Sequence, residues 1–193
     1  MVKIRIQPGF WLMLTLMILV LPLPWICALL LSSAIHELSH LAALRLSGVT
    51  VHSILLLPGG AYMETDEMTP FQGIVSAVAG PMVPLSLLVF ARWMPRTALC
   101  ALIQGCYHLL PVRPLDGGRA LESLISYMGW DRRICAAAEL FCLPFLVYVA
   151  MKLILLDLGT LPPILCSFVI FRIIYEKFLA NRSGSEYNKC TKP

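Results

Sequence analysis

Long apolar stretches alternate with short polar breaks along the whole chain, and this pattern predicts a helical membrane protein. No charged residue stands between Arg5 and His36. A helix that crosses a bilayer needs about 20 apolar residues. We therefore expect an all-α polytopic membrane protein with about six transmembrane segments. They are expected at 9–22, 25–46, 71–90, from 97 through a broken fourth segment, 134–151 and 158–174.

Two of these segments depart from a full span. The first, 9–22, is short and ends at Pro22. The fourth begins at 97–110 and is then broken over 111–119, which holds two prolines and two glycines, before an amphipathic continuation to Trp130. Prolines and glycines in that number exclude one continuous helix. Irregular backbone at membrane depth is tolerated only where it faces protein or a water-filled cavity.

A different pattern lies between the second and third segments, over 48–70. Residues 49–57 are apolar and partly β-branched, and Pro58, Gly59 and Gly60 follow. This order predicts a strand, a turn and a second strand, which together form a small membrane-associated β-hairpin. The hairpin edge could pair with an extended peptide, or the hairpin could be a plain connection. Glu64, Asp66 and Glu67 are interpreted as an acidic rim on a solvated loop, and His52 as a polar residue of the hairpin.

Composition agrees with a membrane protein. Only 13% of the 193 residues are charged and 59% are hydrophobic, with a mean hydropathy of +0.80, whereas a soluble domain is typically about 25% charged. Seven cysteines without a Cys-x-x-Cys pair argue against a disulfide framework or a thiolate zinc site. The modest net charge of +4 gives no indication of nucleic-acid binding.

The distribution of Lys and Arg predicts the orientation. Both termini are basic, and basic residues favour the cytoplasmic side. Six spans place both termini and the loop at 131–133 in the cytoplasm. Arg92 and Arg96 then fall on the opposite side, against the rule.

The second segment carries a His-Glu-x-x-His motif at 36–40. In a helix, residues four apart share one face about 6 Å apart, so His36 and His40 can hold one metal ion. Glu37 can then reach a water on that metal, which is the arrangement of zinc hydrolases whose glutamate is the general base. The alternative is a structural cluster in a helix bundle. Ionisable groups in an apolar segment are expensive and usually functional, which favours the metal.

A catalytic zinc site needs a third protein ligand, and Asp116 is the natural candidate. It lies in the break of the fourth segment, directly before Gly117 and Gly118. An aspartate before two glycines is often only a turn residue. The unfilled coordination position beside His36 and His40 favours the ligand interpretation. Two other features are interpreted as structural: the small residues at 79–81, as a helix contact, and Glu139, as a buried polar contact.

Four motifs in order resemble the site-2 protease family of intramembrane zinc metalloproteases. They are His-Glu-Leu-Ser-His at 36–40, Leu-Leu-Pro-Gly-Gly at 56–60, Ala-Gly-Pro at 79–81 and Leu-Leu-Pro-Val-Arg-Pro-Leu-Asp-Gly-Gly-Arg at 109–119. Within that family the likeness is to the branch that processes a sporulation sigma-factor precursor. Two positions depart from the family: Pro84 stands where a polar residue is usual, and His108 stands where the family has an asparagine.

The resemblance implies a zinc-dependent intramembrane endopeptidase over 1–180, followed by a short polar tail at 181–193. Its single zinc ion is held by His36, His40 and Asp116, with Glu37 as catalytic base. Gly59, Gly60 and His108 are the implied substrate-binding residues. The implied partners are the lipid bilayer and a membrane-embedded or membrane-associated precursor protein, and an inhibitory membrane partner is left open. Neither the CBS domain nor the PDZ domain of some relatives is expected.

One competing class remains from sequence alone: a non-catalytic zinc-binding membrane scaffold, or a metal transporter that uses the same ligands. A scaffold needs the metal ligands and does not need Glu37. A transporter needs more than one metal station, and the sequence offers this one.

Overall fold

A computed structural model describes residues 3–57, 60–113, 115–131 and 133–155. The predicted sixth segment and the polar tail lie outside the described residues, as does Gly59. The strands are β1 Lys3–Ile6, β2 Val51–Leu57 and β3 Gly60–Thr65. The helices are α1 Pro8–Val20, α2 Leu23–Leu46, α3 Pro70–Ser86 with a 3-10 turn Leu87–Phe90, α4 Pro95–His108, α5 Asp116–Met128 and α6 Arg133–Leu155.

Two of the described helical segments are long and apolar enough to cross a membrane: α2, and α3 together with its 3-10 turn, Pro70–Phe90. At about 1.5 Å per residue, the 24 residues of α2 extend about 36 Å. Helix α1 is apolar and shorter, and none of its residues is buried; Leu19 is 82% exposed. An apolar surface of this kind suits lipid better than water. The count of six spans stays a prediction.

The predicted hairpin is present as β2 and β3, and a third strand, β1, extends it to a three-stranded sheet. Strand β1 pairs in parallel with β2, and β3 pairs antiparallel with the other side of β2. The sequence prediction missed β1, because its alternation of polar and apolar residues lasts for only four residues, Lys3–Ile6, before Gln7 and Pro8. The chain therefore leaves the sheet after β1, passes through α1 and α2, and returns to the sheet at β2, beside β1.

The sheet is fixed to the carboxyl end of α2. The helix ends at Ser47 and Gly48, and Gly48 has a φ of 76°, which glycine adopts without strain. The Val49 amide then donates to the Leu44 carbonyl over 2.9 Å. Leu44, Val49 and Val51 are buried together, with Met63 of β3 packed against them. Strand β3 is thereby held close to the last turns of α2.

The polar residues of the hairpin pair with one another on its exposed side. His52 Nε2 lies 2.7 Å from Asp66 Oδ1, and Ser53 donates to Glu64 over 2.8 Å. The hydrogen bonds from the His52 and Thr50 side chains lower the pKa of Asp66. The acidic rim is therefore partly tied to the strand beside it.

Helix α3 packs on α2 and α5 through small residues, as the sequence predicts for a helix contact. It begins with a capping box of Thr69 and Gln72, and the Gln72 amide donates to the Ser47 carbonyl over 2.9 Å. This bond ties the start of α3 to the end of α2. The helix continues past Pro81 and Pro84, both of which are buried.

Helices α2 and α4 share a buried polar contact. Ser32 donates to Gln104 Oε1 over 2.5 Å, and Gln104 Nε2 donates to the Ser33 hydroxyl over 2.7 Å. Ser32 lies one turn before His36, and Gln104 lies one turn before His108. The contact therefore sets how α4 lies against α2 immediately beside the histidines.

Replacing Gln104 by Leu should weaken the α2–α4 contact. Because the side chain joins both serines, its loss should lower the free energy of unfolding by about 0.6–2 kcal/mol, the range found for hydrogen bonds between membrane helices. Unfolding of the purified protein in mixed micelles measures this. Ile103→Ala, on the exposed side of the same helix, is the control and should change stability less. Equal stability of Gln104→Leu and wild type would show that the contact contributes nothing.

Candidate metal centre

The two motif histidines point from α2 into the protein. His36 and His40 are 4% and 8% exposed, and their Nε2 atoms lie 3.2 Å apart. His40 Nδ1 lies 2.8 Å from the Ser76 carbonyl of α3. A carbonyl only accepts, so Nδ1 of His40 carries the proton and Nε2 keeps its lone pair for a ligand. Histidines that bind metals are typically oriented by such a bond to a backbone carbonyl.

Asp116 completes the cluster and is the first residue of α5, 5% exposed. Its Oδ2 lies 3.1 Å from His36 Nε2 and 3.3 Å from His40 Nε2. A helix amino terminus favours a negative side chain, because the first backbone amides and the helix dipole point their positive ends towards it. The sequence placed Asp116 in an irregular break; the structure starts a helix at this residue.

The three atoms match the face of a tetrahedral zinc site. His36 Nε2, His40 Nε2 and Asp116 Oδ2 form a triangle with sides of 3.1, 3.2 and 3.3 Å. Zinc bonds of about 2.0–2.1 Å at tetrahedral angles separate ligand atoms by about 3.3–3.4 Å. Two histidines and one carboxylate are also a ligand set of catalytic zinc sites, which leave the fourth position open. The residues present therefore fit a zinc ion, as the sequence predicts.

Glu37 lies beside the cluster and contacts strand β3. Its Oε1 accepts a hydrogen bond from the Ala61 amide over 3.0 Å. Ala61 is paired with Leu56, yet its amide donates to Glu37, so this amide points to the side of β3 away from β2. One carboxylate oxygen is thereby fixed, which leaves Oε2 to accept a proton.

The glycines after Asp116 allow its helix to begin where it does. A Cβ at Gly117 would overlap the Leu109 and Leu110 carbonyls, and one at Gly118 would meet the Val112 carbonyl. Those neighbours are backbone atoms, which cannot move aside. The two glycines therefore let the start of α5 pack directly against the segment that follows α4.

The segment between α4 and α5 is braced from two sides. Val112 and Leu115 are 0% and 1% exposed and pack against Cys142 of α6. The Arg113 amide donates to Glu139 Oε1 over 3.1 Å, and the Arg113 guanidinium pairs with Glu122. Glu139 thus makes a structural polar contact as expected from the sequence, but it is half-buried and not buried.

Gly80 is a site residue whose role the sequence did not show. A Cβ at this position would overlap the His40 ring. The helix contact predicted at 79–81 is therefore more specific than a contact between helix backbones: Gly80 leaves the space that the His40 ring occupies. A glycine beside a proline in an apolar segment gives no sign of which side chain it meets, so only the fold could reveal this.

Of the predicted substrate-binding residues, Gly60 lies near the metal cluster, and Gly59 is outside the described residues. Gly60 lines a cavity of about 70 Å³, large enough for a few water molecules. His108 lines the same cavity, and its Nδ1 lies 2.9 Å from Asp116 Oδ2. The other lining residues include Glu37, Ala61, Met63, Thr65 and Arg119. Contacts of these residues with a substrate stay a prediction.

Comparison with known proteins agrees with this architecture. No family model matches the chain. A putative zinc metalloprotease of Synechocystis sp. is 35% identical over 124 residues, which covers 53% of this chain and 33% of that protein. A zinc metalloprotease of Methanocaldococcus jannaschii is 30% identical over 112 residues, covering 51% and 33%. Stage IV sporulation protein FB of Bacillus subtilis is 30% identical over 140 residues, covering 64% and 48%. The chain thus spans between a third and about half of these relatives.

A solved structure shows the fold. A site-2 protease from Methanocaldococcus jannaschii superposes with a TM-score of 0.60 and 24% identity, over 87% of each chain. The chain therefore has the site-2 protease fold. The chain is thus similar in sequence to zinc metalloproteases and in fold to a site-2 protease, which agrees with the resemblance that the four motifs indicate.

Gly80→Ala should displace the His40 ring and weaken zinc binding by at least about 10-fold, the effect typical of disturbing the support of a ligand. Competition with a chromophoric chelator measures the zinc affinity. Gly105→Ala is the matched control, because its Cβ would meet the Leu85 side chain on α3 and no metal ligand. Equal zinc affinity in Gly80→Ala and wild type would show that His40 does not depend on this space.

Proposed function

We propose that this chain is a zinc-dependent intramembrane endopeptidase. The observation that carries the proposal is the triangle of His36, His40 and Asp116 with the Glu37 carboxylate beside it. A metal site needs only the three ligands. A carboxylate held in the same cavity as the three ligands is the additional group that hydrolysis requires.

The roles of the residues follow from their positions. His36, His40 and Asp116 would hold the zinc ion, which supplies a Lewis acid that activates a water and polarises a peptide carbonyl. Glu37 takes a proton from the attacking water through Oε2 while the Ala61 amide holds Oε1. The same carboxyl group then gives the proton to the leaving amine. His40 keeps its orientation through the Ser76 carbonyl during these steps.

Strand β3 supports a binding mode for the substrate. It is one of the two outer strands of the described sheet, and its residues Gly60, Ala61, Met63 and Thr65 line the cavity at the metal ligands. A substrate segment unwound from its helix could add to this edge as a further strand, since main-chain hydrogen bonds bind extended peptides without regard to sequence. Gly59 and Gly60 would then allow the peptide to approach the turn closely.

The substrate class is proposed as a membrane-embedded or membrane-associated precursor protein. The apolar surfaces of α1 and α2 support a site reached from the bilayer. Similarity to stage IV sporulation protein FB supports a role in sporulation, and the resemblance of the motifs adds a sporulation sigma-factor precursor as one such substrate. Six spans with both termini in the cytoplasm, and an inhibitory membrane partner, belong to the same proposal.

Glu37→Gln should retain zinc and lose cleavage. The amide keeps the size of the side chain but cannot take a proton from water, so turnover should fall by about 10²–10⁴-fold. Co-expression with a single-span precursor, followed by gel analysis and measurement of bound zinc, tests this.

Asp116→Ala is the companion variant, and it should lose both zinc and cleavage because a ligand is gone. Cleavage by a clean Glu37→Gln preparation would remove Glu37 from its role as base. Full zinc occupancy in Asp116→Ala would remove Asp116 from the site, and absence of zinc from the wild type would refute the proposal.

Met63→Pro should weaken substrate binding at the β3 edge. Amide directions alternate along a strand, so the Met63 amide points the same way as that of Ala61, away from β2. Proline removes this outward donor at an edge where the sheet tolerates it. The loss of one hydrogen bond should lower kcat/KM by about 2–10-fold.

Met63→Ala is the control for the Met63 side chain, because alanine keeps the amide. Cleavage kinetics with detergent-solubilised enzyme measure both variants, and zinc occupancy should be unchanged in each. An equal reduction in the two variants would assign the effect to the side chain and contradict strand addition.

A further inference from the structure

His108 is placed against a metal ligand. Its Nδ1 lies 2.9 Å from Asp116 Oδ2, the same oxygen that lies 3.1 and 3.3 Å from the two motif histidines. The His108 side chain is 15% exposed, and its ring lies 4.2 Å from the ring of His36, centroid to centroid. His108 is therefore part of the wall of the metal site.

The direction of this hydrogen bond follows from the chemistry of the two groups. A metal-binding carboxylate is ionised and can only accept, so His108 Nδ1 must carry the proton and donate it to Oδ2. Nδ1 is then not available as a metal ligand. Accordingly, the described residues that could hold one ion together are His36, His40 and Asp116.

The backbone at Asp116 does not fix the orientation of its carboxylate, so neighbouring side chains must fix it. Asp116 begins α5, and its N-cap residue Leu115 makes no side-chain cap bond. The rotation of the carboxylate about its own axis decides which oxygen faces the histidines. The bond from His108 holds Oδ2 in that position before any metal binds.

The position of His108 is in turn fixed by α4. His108 is the last residue of α4, one turn after Gln104, whose side chain is held by two serines of α2. The Nδ1 atom of His108 therefore has a fixed position along α2, beside His36.

We propose that His108 is a positioning residue for zinc, which donates from Nδ1 to Asp116 Oδ2 and so preorganises the third ligand. This inference rests on the proposed zinc site and assigns to His108 a role towards the ligand, in place of the substrate contact predicted from the sequence. Partners that orient metal ligands typically change metal affinity by about 10–100-fold when removed.

Two substitutions separate the donor from the ring. His108→Phe keeps a planar ring against His36 but has no donor. His108→Asn replaces the ring but keeps an N–H donor one bond from Cγ, where Nδ1 stands in histidine. The prediction is that zinc affinity falls about 10–100-fold in the Phe variant and stays within about 3-fold of wild type in the Asn variant.

Zinc affinity is measured on the 193-residue chain in detergent by competition with a chelator. The visible absorption of the cobalt-substituted protein reports the ligand geometry without any substrate. His52→Phe is the matched control, because His52 also pairs with an aspartate, Asp66, but on the exposed side of the sheet. This variant should bind zinc like the wild type.

The outcomes are distinguishable. Weak zinc binding by His108→Phe, with recovery in His108→Asn and an altered cobalt spectrum only in the Phe variant, supports the proposal. Wild-type zinc affinity in His108→Phe overturns it, and a raised KM in that variant would then return His108 to substrate binding. Loss in both variants would show that the ring, and not the donor, matters, which also overturns it. Failure of the wild type to bind zinc would refute the zinc site itself.

Discussion

The meeting of the Asp116 carboxylate with two histidine nitrogens is the contact on which the rest of the structure depends. Three metal-binding groups at 5%, 4% and 8% exposure, in a largely apolar chain, would be costly without partners. Each partner comes from a different element: Ser76 of α3 for His40 and His108 of α4 for Asp116. His36 Nδ1 is buried and has no hydrogen-bond partner among the described residues. The site is therefore built from residues of four helices, which are α2, α3, α4 and α5.

Small residues make this gathering possible. Gly80 leaves room for the His40 ring, and Gly117 and Gly118 let the start of α5 touch the backbone that follows α4. In lipid, no hydrophobic driving force brings helices together, so close packing of their backbones and polar contacts hold them together. The Ser32, Ser33 and Gln104 contact is an example of the second kind. The same packing that stabilises the bundle also sets the distances within the metal site.

The three-stranded sheet lies beside the candidate metal ligands, because residues of β3 line the same cavity. Its inner strand β2 is paired on both sides, whereas β3 offers its outer amides towards the cavity. Glu37 already accepts one of these amides, from Ala61. The Glu37 carboxylate and the edge of the sheet thus line one cavity, which would link the proposed binding of an extended peptide to the chemistry proposed for it.

The sequence by itself determined the chemistry and most of the elements. Helical spacing placed His36 and His40 on one face, and the apolar surroundings made a functional role for them and for Glu37 the better interpretation. Asp116 followed from the need for a third ligand, and the strand, turn and strand at 48–70 followed from residue type. The structure brings His36, His40 and Asp116 together and contains the strand pair. These features could be predicted because they depend on local spacing and on the cost of polar groups in apolar sequence.

Only the tertiary structure decided what meets across the chain. Strand β1 pairs with residues about 50 positions away, so its four residues carry no local sign of a partner. Gly80 beside His40, Ser76 behind it and His108 on Asp116 are contacts between different helices. Such contacts depend on how the helices pack, and one-dimensional spacing does not contain that information. The sequence therefore predicted the candidate metal ligands, and the packing of the helices determined which residues hold them in place.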